Sequence, residues 1–280
     1  TNFSSSTQVN TKNLYGKSKL NAELEIRNLE IETGSKSHIY RLPGVFGKWS
    51  RPNYNSVVAT FCNNIGKDLP IQINDPEFEL KLVYIDDVVE EFINKILGKA
   101  KYSKDPSVNP EYQITLGDLA DQIKSFKISR DTLITEKVGV GFVRKLYSTY
   151  LSFLSPDKFT YSIPTHGDER GMFAEMLKTK DSGQFSFFTA GPGVTRGGHY
   201  HHSKTEKFLI LHGKAKFKFR HLITNEKHEI VISHEEFRIV ETLPGWVHDI
   251  TNIGDKDMIV MLWANEIFNP EKPDTFANSL

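Results

Sequence analysis

The first half of the chain alternates between helical and strand-like hydrophobic patterns. Leu and Ile recur at helical spacing over residues 14–32, and the pattern stops near Gly34. Similar spacing predicts helices at 57–66, 86–97 and 116–126. Strands are predicted at 38–45, broken at Pro43-Gly44, and at 80–84. Alternation of this kind is typical of an α/β domain.

From about Ser155 the pattern changes to short runs of period two, separated by Gly, Pro, Asp and Asn. These runs predict strands at 185–190, 207–211, 215–220, 229–233, 237–240 and 258–263. Many short strands close together are typical of an all-β sandwich or barrel. We therefore predict an α/β domain over residues 1–155 and an all-β domain over residues 156–280.

Composition narrows the classes of function. The 280 residues include 35 Lys and Arg and 35 Asp and Glu, and this balance disfavours a nucleic-acid partner. The single cysteine, Cys62, excludes an intrachain disulfide and is compatible with a reducing compartment. No apolar run approaches the roughly 20 residues that cross a bilayer, and the first residues do not resemble a signal peptide. The sequence predicts a cytoplasmic protein without a membrane span.

A histidine-rich segment in the second half predicts a metal site. His199 and His201 are two residues apart, so on a β-strand both imidazoles point to one face. Glu206 follows at the end of that strand or just past it, and His248 comes after the turn Pro244-Gly245. Three imidazoles and one carboxylate suit zinc, iron, nickel or manganese. The spacing resembles both sequence motifs of the cupin superfamily.

A second chemical pattern lies near the start of the chain. Tyr15 and Lys19 are four apart on a predicted helix and are therefore neighbours on one face, with Ser6 nine positions before Tyr15. An ammonium next to a phenol favours the phenolate, which makes a phenol more useful in proton transfer. Such a phenol can donate a proton to a carbonyl oxygen while a hydride reaches the carbon, and a serine hydroxyl can hold the same oxygen. A plain stabilising helix pair is the alternative interpretation.

The surrounding motifs resemble the extended short-chain dehydrogenase/reductases that act on nucleotide sugars. The shared segments occur in the family's order: 4–6 (SSS), 15–20 (YGKSKL), 41–47 (RLPGVFG) and 83–88 (VYIDDV). Gly44 stands where that family often has Asn. The glycine-rich dinucleotide fingerprint of such enzymes is not found in the sequence, since the nearest candidate, Gly139-Val-Gly141, has Arg144 in the third glycine position. We therefore expect the chain to begin after three β–α units of the reductase fold.

Taken together, the two halves resemble the CapF/WbjC-type enzymes of capsular and O-antigen polysaccharide synthesis, which join a short-chain reductase to a C-terminal cupin. The resemblance implies a partial Rossmann-like α/β domain followed by a cupin barrel, and a homodimer acting on a UDP-sugar. It also implies metal-dependent C3 epimerisation of a 4-keto-6-deoxy sugar by the cupin, followed by NADPH-dependent reduction at C4 to UDP-2-acetamido-2,6-dideoxy-L-talose. The implied catalytic residues are Ser6, Tyr15 and Lys19, and Tyr15 and Lys19 also contact NADPH. The implied metal ion, expected to be Zn²⁺, binds His199, His201, Glu206 and His248. The implied substrate contacts are Arg41, Arg51, Asn55, Lys81 and Arg170.

A weaker likeness concerns the second half alone. Residues 168–173 and 193–199 are similar to the motifs of dTDP-4-keto-6-deoxyhexose epimerases of the RmlC kind, in which an arginine binds phosphate and a histidine removes the proton. His199 is thus a candidate both for metal ligand and for base, and the complete ligand set favours the metal. The C3 base stays open among His202, Asp168 and a hydroxide on the metal.

Two other functions are compatible with these residues. One is a cupin that serves dimerisation and ligand sensing beside an inactive reductase. The other is a cupin with a single metal-dependent activity, either an isomerase or a dioxygenase, since dioxygenases also use His and carboxylate ligands.

Overall fold

The computed structural model describes residues 1–99, 103 and 106–280. Two compact units are present. The first comprises residues 1–127 and 137–159, and the second comprises residues 128–136 and 160–280. The sequence assigned residues 128–136 to the first domain, whereas in the structure their strand pairs with a strand of the second unit.

Five helices lie in the described first half of the chain: α1 (Leu14–Thr33), α2 (Val57–Gly66), α3 (Ile85–Ile96), α4 (Leu116–Thr132) and α5 (Gly141–Leu151). The strands of the first unit are β1 (Asn2–Ser6), β2 (His38–Leu42), β3 (Gly44–Phe46), β4 (Glu79–Tyr84) and β5 (Tyr112–Thr115). β1 pairs in parallel with β2, β3 in parallel with β4, and β4 antiparallel with β5. The predicted helices are confirmed, and α5 is an additional one.

Local signals explain why α1 begins and ends where it does. The Asn13 side chain accepts a hydrogen bond from Gly16 N at 2.6 Å, which satisfies one of the free amide groups of the first turn. Gly34 ends the helix in the left-handed conformation, which glycine adopts without steric cost. The first unit's main apolar core lies among β3, β4 and helices α2, α4 and α5, and includes Phe46, Phe61, Ile123 and Tyr150.

The second unit consists almost entirely of strands. They are β6 (Ile134–Thr135), β7 (Thr165–Asp168), β8 (Gly171–Thr179), β9 (Gly183–Ala190), β10 (Thr195–Tyr200), β11 (Glu206–His212), β12 (Lys214–His221), β13 (Lys227–Ser233), β14 (Ile239–Glu241), β15 (Trp246–Asn252), β16 (Met258–Ala264) and β17 (Phe276–Ala277). One sheet has the order β13-β12-β15-β10-β17. The other has the order β14-β11-β16-β9-β8-β6, with β7 paired to β8.

The two sheets share one apolar core. Phe217 and Ile250 come from the five-stranded sheet, and Phe188, Phe208 and Val260 come from the other. The fold class, α/β followed by all-β, is confirmed. The strands form two packed sheets and, in the described residues, do not close into a single hydrogen-bonded barrel.

A helix that spans a bilayer must be both long and apolar. None in the described part of the chain is both long and apolar enough to span a membrane.

Candidate active site and metal centre

The residues of the predicted reductase site meet at a cavity in the first unit. Its volume is about 770 Å³, and Ser6, Tyr15 and Lys19 all line it. The Lys19 ammonium lies 5.8 Å from the centre of the Tyr15 ring and is held by the Ser4 backbone oxygen at 3.1 Å. The i, i+4 geometry predicted for the Tyr15–Lys19 pair is therefore present, with half-exposed Tyr15 facing an open cavity.

Ser5 and Ser6 have different side-chain partners because successive residues of a strand point to opposite faces. Ser5 is buried and hydrogen-bonds the Glu23 carboxylate. Ser6 lines the cavity, and its hydroxyl oxygen accepts a hydrogen bond from Gln8 N at 3.2 Å. A hydroxyl that accepts one bond still has a proton to donate, so Ser6 is free to donate to a bound oxygen.

Gly16 lets the helix that carries Tyr15 lie close to the turn that follows Ser6. A Cβ atom at position 16 would lie 2.2 Å from the Gln8 carbonyl oxygen and 2.9 Å from that of Thr11. Both distances are shorter than atoms in contact allow, so the close approach of α1 to the turn after Ser6 depends on glycine here.

The predicted substrate contacts of the first unit are only partly at this cavity. Asn55 lines it, and Arg51 stacks on Tyr54, another lining residue, at 5.4 Å. Arg41 lines a separate cavity of about 210 Å³, and Lys81 is exposed and lies 3.8 Å from Glu111.

Arg41 is one half of a partly buried ion pair. Its guanidinium donates three hydrogen bonds to the Glu23 carboxylate at 2.6–3.1 Å. Burial opposes ionisation of Glu23, but the hydrogen bonds from Arg41 and Ser5 lower the pKa of that carboxyl below its usual value. In this conformation Arg41 is bound to α1 and not to the Tyr15 cavity.

The four predicted metal ligands meet in the second unit. One candidate ligand atom from each of His199, His201, Glu206 and His248 lies within 4.8 Å of the others. They come from different elements: His199 is on β10, His201 directly follows β10, His248 is on β15, and Glu206 opens β11 of the other sheet. Glu206 was expected at the end of the His199 strand or just past it. It lies past the end of β10, after a turn, and on a strand of the other sheet.

A bulge in β10 lies directly before the ligand histidines and sets the orientation of their side chains. The register with β15 shifts between Gly197 and His199, and both Gly197 and Gly198 have positive φ. A Cβ atom on Gly197 would lie 2.8 Å from the His248 carbonyl oxygen, so the approach of the two ligand strands requires glycine there.

Two distances show that the cluster fits a cation. His201 Nε2 lies 3.2 Å and His248 Nε2 3.3 Å from Glu206 Oε2. Atoms that share a tetrahedral ion at about 2.0–2.1 Å are separated by roughly 3.3 Å. His248 Nε2 is buried and has no hydrogen-bond partner among the described residues, as expected of an atom that needs a cation.

The charges of the cluster also suit a cation. Burial lowers the pKa of His199 to about 4, and the adjacent His248 contributes, so His199 is a neutral imidazole with a lone pair at pH 7. Burial alone would raise the pKa of Glu206, but its contacts with His201 and His248 and the Lys204 ammonium keep that pKa well below its ordinary value. The site thus offers the Glu206 carboxylate and, at His199, a neutral nitrogen ligand.

Two residues of this site were not identified from the sequence. The Lys204 ammonium is buried and lies 2.9 Å from Glu206 Oε1, the oxygen that does not face the histidines. Asp274 accepts backbone hydrogen bonds from residues 202–204. Burial opposes ionisation of Asp274, but these bonds lower the pKa of its carboxyl far below the ordinary value. Lys204 is two residues from Glu206, a spacing that could have indicated it, whereas Asp274 carries no local signal.

The other predicted residues of the second unit lie outside the metal cluster. Arg170 donates to the Asp168 carboxylate at 2.5–3.2 Å, and both side chains are about half exposed. His202 is exposed and packs against Tyr200 and Phe276, with ring centres 5.4 and 4.9 Å away. Neither His202 nor Asp168 is among the four clustered ligands.

Comparisons with known proteins identify both parts of the chain. Residues 1–107 match the NAD dependent epimerase/dehydratase family, and residues 166–276 match the polysaccharide biosynthesis C-terminal domain. The chain is 58% identical over 278 residues to the UDP-2-acetamido-2,6-beta-L-arabino-hexul-4-ose reductase of Pseudomonas aeruginosa, covering 99% of this chain and 75% of that protein. The crystal structure of the capsular polysaccharide assembling protein CapF from Staphylococcus aureus superposes with a TM-score of 0.94 at 42% identity, covering 100% of this chain and 76% of that one.

The chain belongs to the CapF family. A second CapF structure, with the inhibitor 3-isopropenyl-tropolone, matches with a TM-score of 0.91 at 40% identity and covers 100% of this chain and 78% of that one. As a CapF-family protein, the chain joins an oxidoreductase segment, which contains the Tyr15 cavity, to a sheet-rich domain, which contains the four-ligand cluster.

Proposed function

We propose that the protein is a bifunctional nucleotide-sugar enzyme of capsular or O-antigen polysaccharide synthesis. Its cupin unit epimerises C3 of a UDP-4-keto-6-deoxy-N-acetylhexosamine with the help of a divalent cation, with Zn²⁺ expected. Its reductase unit then reduces the C4 ketone with NADPH to UDP-2-acetamido-2,6-dideoxy-L-talose. The name of the relative with 58% identity, a UDP-sugar 4-ulose reductase, supports this substrate class. We also propose that the protein acts as a homodimer.

The proposed reduction uses the Tyr15 cavity. When bound, NADPH supplies the hydride that adds to C4. Tyr15 gives its phenolic proton to the C4 oxygen, Ser6 donates a hydrogen bond to the same oxygen, and Lys19 holds a positive charge beside the phenol. Two observations support these roles. The three side chains line one cavity, and the Ser6 hydroxyl, which accepts a hydrogen bond from Gln8 N, still has a proton to donate.

The proposed epimerisation uses the His199, His201, Glu206 and His248 cluster. A base takes the C3 proton, the C–H electron pair forms a C3–C4 double bond, and the carbonyl π pair moves onto the C4 oxygen as an enolate. An acid then returns a proton to C3 on the opposite face. A bound divalent cation is a Lewis acid that stabilises negative charge on a nearby oxygen. His199, His201, Glu206 and His248 would hold that cation, and Lys204 balances the charge of Glu206.

The observation that carries the metal-dependent step is the convergence of four ligand atoms with a buried, unpartnered His248 Nε2. The test is incubation of the protein with the UDP-4-keto sugar in deuterated water without NADPH. We expect deuterium at C3 with metal-loaded protein and its loss after treatment with a chelator, measured by NMR and mass spectrometry. Unchanged exchange in protein verified to be metal-free would assign the cluster a structural role instead.

A further inference from the structure

The C-terminal segment 274–279 contacts the metal cluster from outside. Asp274 Oδ1 accepts a hydrogen bond from His202 N at 2.8 Å. Asp274 Oδ2 accepts three more, from Ser203 N at 2.7 Å, Ser203 Oγ at 2.8 Å and Lys204 N at 2.8 Å. One carboxylate therefore fixes the turn between the ligands His201 and Glu206.

The backbone of Asp274 also contacts a ligand directly. Its carbonyl oxygen lies 2.5 Å from His201 Nδ1. A carbonyl oxygen can only accept, so Nδ1 must carry the proton in this contact. In neutral His201 the lone pair is then on Nε2, the nitrogen that faces Glu206 at 3.2 Å.

The segment is held in place beyond Asp274. Phe276 and Ala277 pair with Tyr200 and His199 as β17, and Asn278 N donates to Gly198 O at 2.9 Å. Arg220 donates to Asn278 Oδ1 at 2.7 Å and to Ser279 O at 2.8 Å. The position of the Asp274 carbonyl is thus fixed by the sheet on one side and by its own carboxylate on the other.

We propose that Asp274 is a positioning residue for the metal centre, which fixes the His201 tautomer through its backbone oxygen and the 202–204 turn through its carboxylate. This inference rests on the metal centre proposed above. A hydrogen-bond partner that orients a ligand histidine typically changes metal affinity 10–100-fold when it is lost. Asp274 has this effect although it lies 73 residues from His201 along the chain.

The role of the Asp274 carboxylate can be tested with a substitution of the same shape that cannot accept all four hydrogen bonds. In Asp274→Asn one carboxylate oxygen becomes an NH₂ group, which cannot accept a hydrogen bond. Whichever way the amide is turned, its NH₂ faces at least one backbone N–H of residues 202–204. Glu271→Gln is the matched control, because it removes one negative charge from an exposed residue shortly before this segment.

The experiment measures Zn²⁺ affinity of the unchanged protein, Asp274→Asn and Glu271→Gln by competition with a chromophoric chelator. The visible absorption spectrum with Co²⁺ in place of Zn²⁺ reports the ligand geometry. We expect Asp274→Asn to weaken Zn²⁺ binding about 10-fold or more and to change the Co²⁺ spectrum, and Glu271→Gln to do neither. Equal affinities and spectra in all three proteins would overturn the role of Asp274 while the metal centre stands.

Two further results complete the test. If the unchanged protein binds neither Zn²⁺ nor Co²⁺, the proposed metal centre fails and this inference fails with it. If Asp274→Asn does not fold, Ser203→Ala takes its place, because it removes one hydrogen bond to Oδ2 and leaves the backbone contacts intact. We expect a several-fold loss of Zn²⁺ affinity in Ser203→Ala, and an unchanged affinity in this folded variant would contradict the proposal.

Discussion

At the scale of single residues, the candidate metal cluster contains a ligand nitrogen that makes no hydrogen bond among the described residues. His248 Nε2 is buried without a hydrogen-bond partner among the described residues, and burial keeps His199 neutral. Such a cluster is costly without a cation, because buried polar atoms that lack partners destabilise the folded state. Metal binding should therefore contribute directly to the stability of the second unit.

We predict that His248→Ala loses metal affinity by more than the 10–100-fold that is typical for an outer hydrogen-bond partner. In the unchanged protein, Zn²⁺ at 100 times its dissociation constant should add about 2.7 kcal/mol to the free energy of unfolding. Denaturation with and without Zn²⁺, followed by tryptophan fluorescence, checks both statements. His228→Ala is the control, since His228 is exposed and outside the cluster, and it should keep the full response to Zn²⁺.

The Glu23–Arg41 pair leads to a prediction about pH. The folded-state pKa of Glu23 is lowered from its ordinary 4.5, so the carboxylate stabilises the fold above that pH and loses this effect as pH falls through the folded pKa. We predict that Glu23→Gln reduces the free energy of unfolding by about 1–3 kcal/mol at pH 7, as expected for hydrogen bonds to a charged group.

The difference between Glu23→Gln and the unchanged protein should shrink as pH falls below 4.5, which urea denaturation at several pH values can measure. Glu25→Gln on the exposed side of α1 should have little effect at any pH. A constant difference down to pH 3 would contradict the assigned cause.

At the scale of elements, the approach of α1 to the turn after β1 brings Ser6 and Tyr15 to the same cavity. Gly16→Ala puts a Cβ atom 2.2 Å from the Gln8 carbonyl oxygen, so we predict a loss of about 1–3 kcal/mol in unfolding free energy through overpacking. Gly139→Ala should stay within about 0.5 kcal/mol, because nothing lies within 4 Å of a Cβ atom there. Equal stability of the two variants in thermal denaturation would show that the turn moves without cost.

Elements whose ends are marked by capping residues in the sequence were predicted well, and elements that depend on pairing were not. The predicted helix at residues 14–32 is present as Leu14–Thr33, because Asn13 and Gly34 mark its ends in the sequence itself. The strand predicted from Phe237 begins instead at Ile239, since Phe237 takes a left-handed conformation after a short 3-10 turn. β10, with two glycines, and β15 have weaker period-two patterns and depend on pairing with each other.

The parts of the site that depend on residue type and spacing were predictable from the sequence. The spacing predicted that four residues would cluster, and they do. It did not predict the crossing of Glu206 to the other sheet, because that depends on how the chain turns after His202. Asp274 contributes through backbone geometry and lies far along the chain, so no local pattern indicates it. Arg41, expected at the substrate, is bound to Glu23, a contact between elements 18 residues apart.

At the scale of the whole molecule, the two sets of functional residues belong to different compact units. Ser6, Tyr15 and Lys19 lie in the first unit, and the four candidate metal ligands lie in the second. The proposed reactions also use different atoms of the sugar, since one moves a proton at C3 and the other adds a hydride at C4. If each unit catalyses one reaction, a substitution in one unit should abolish its reaction and leave the other reaction intact.

We predict this separation in the full-length protein. Tyr15→Phe should lower NADPH-dependent reduction by at least the 10²–10⁴-fold that general acid catalysis contributes, because the variant has no phenolic proton for the C4 oxygen. Its deuterium exchange at C3 should be unchanged. His248→Ala should abolish the exchange yet still reduce a sugar that is already epimerised at C3. NADPH consumption and NMR of the sugar distinguish the two reactions, and a parallel loss of both in either folded variant would mean that one site serves both steps.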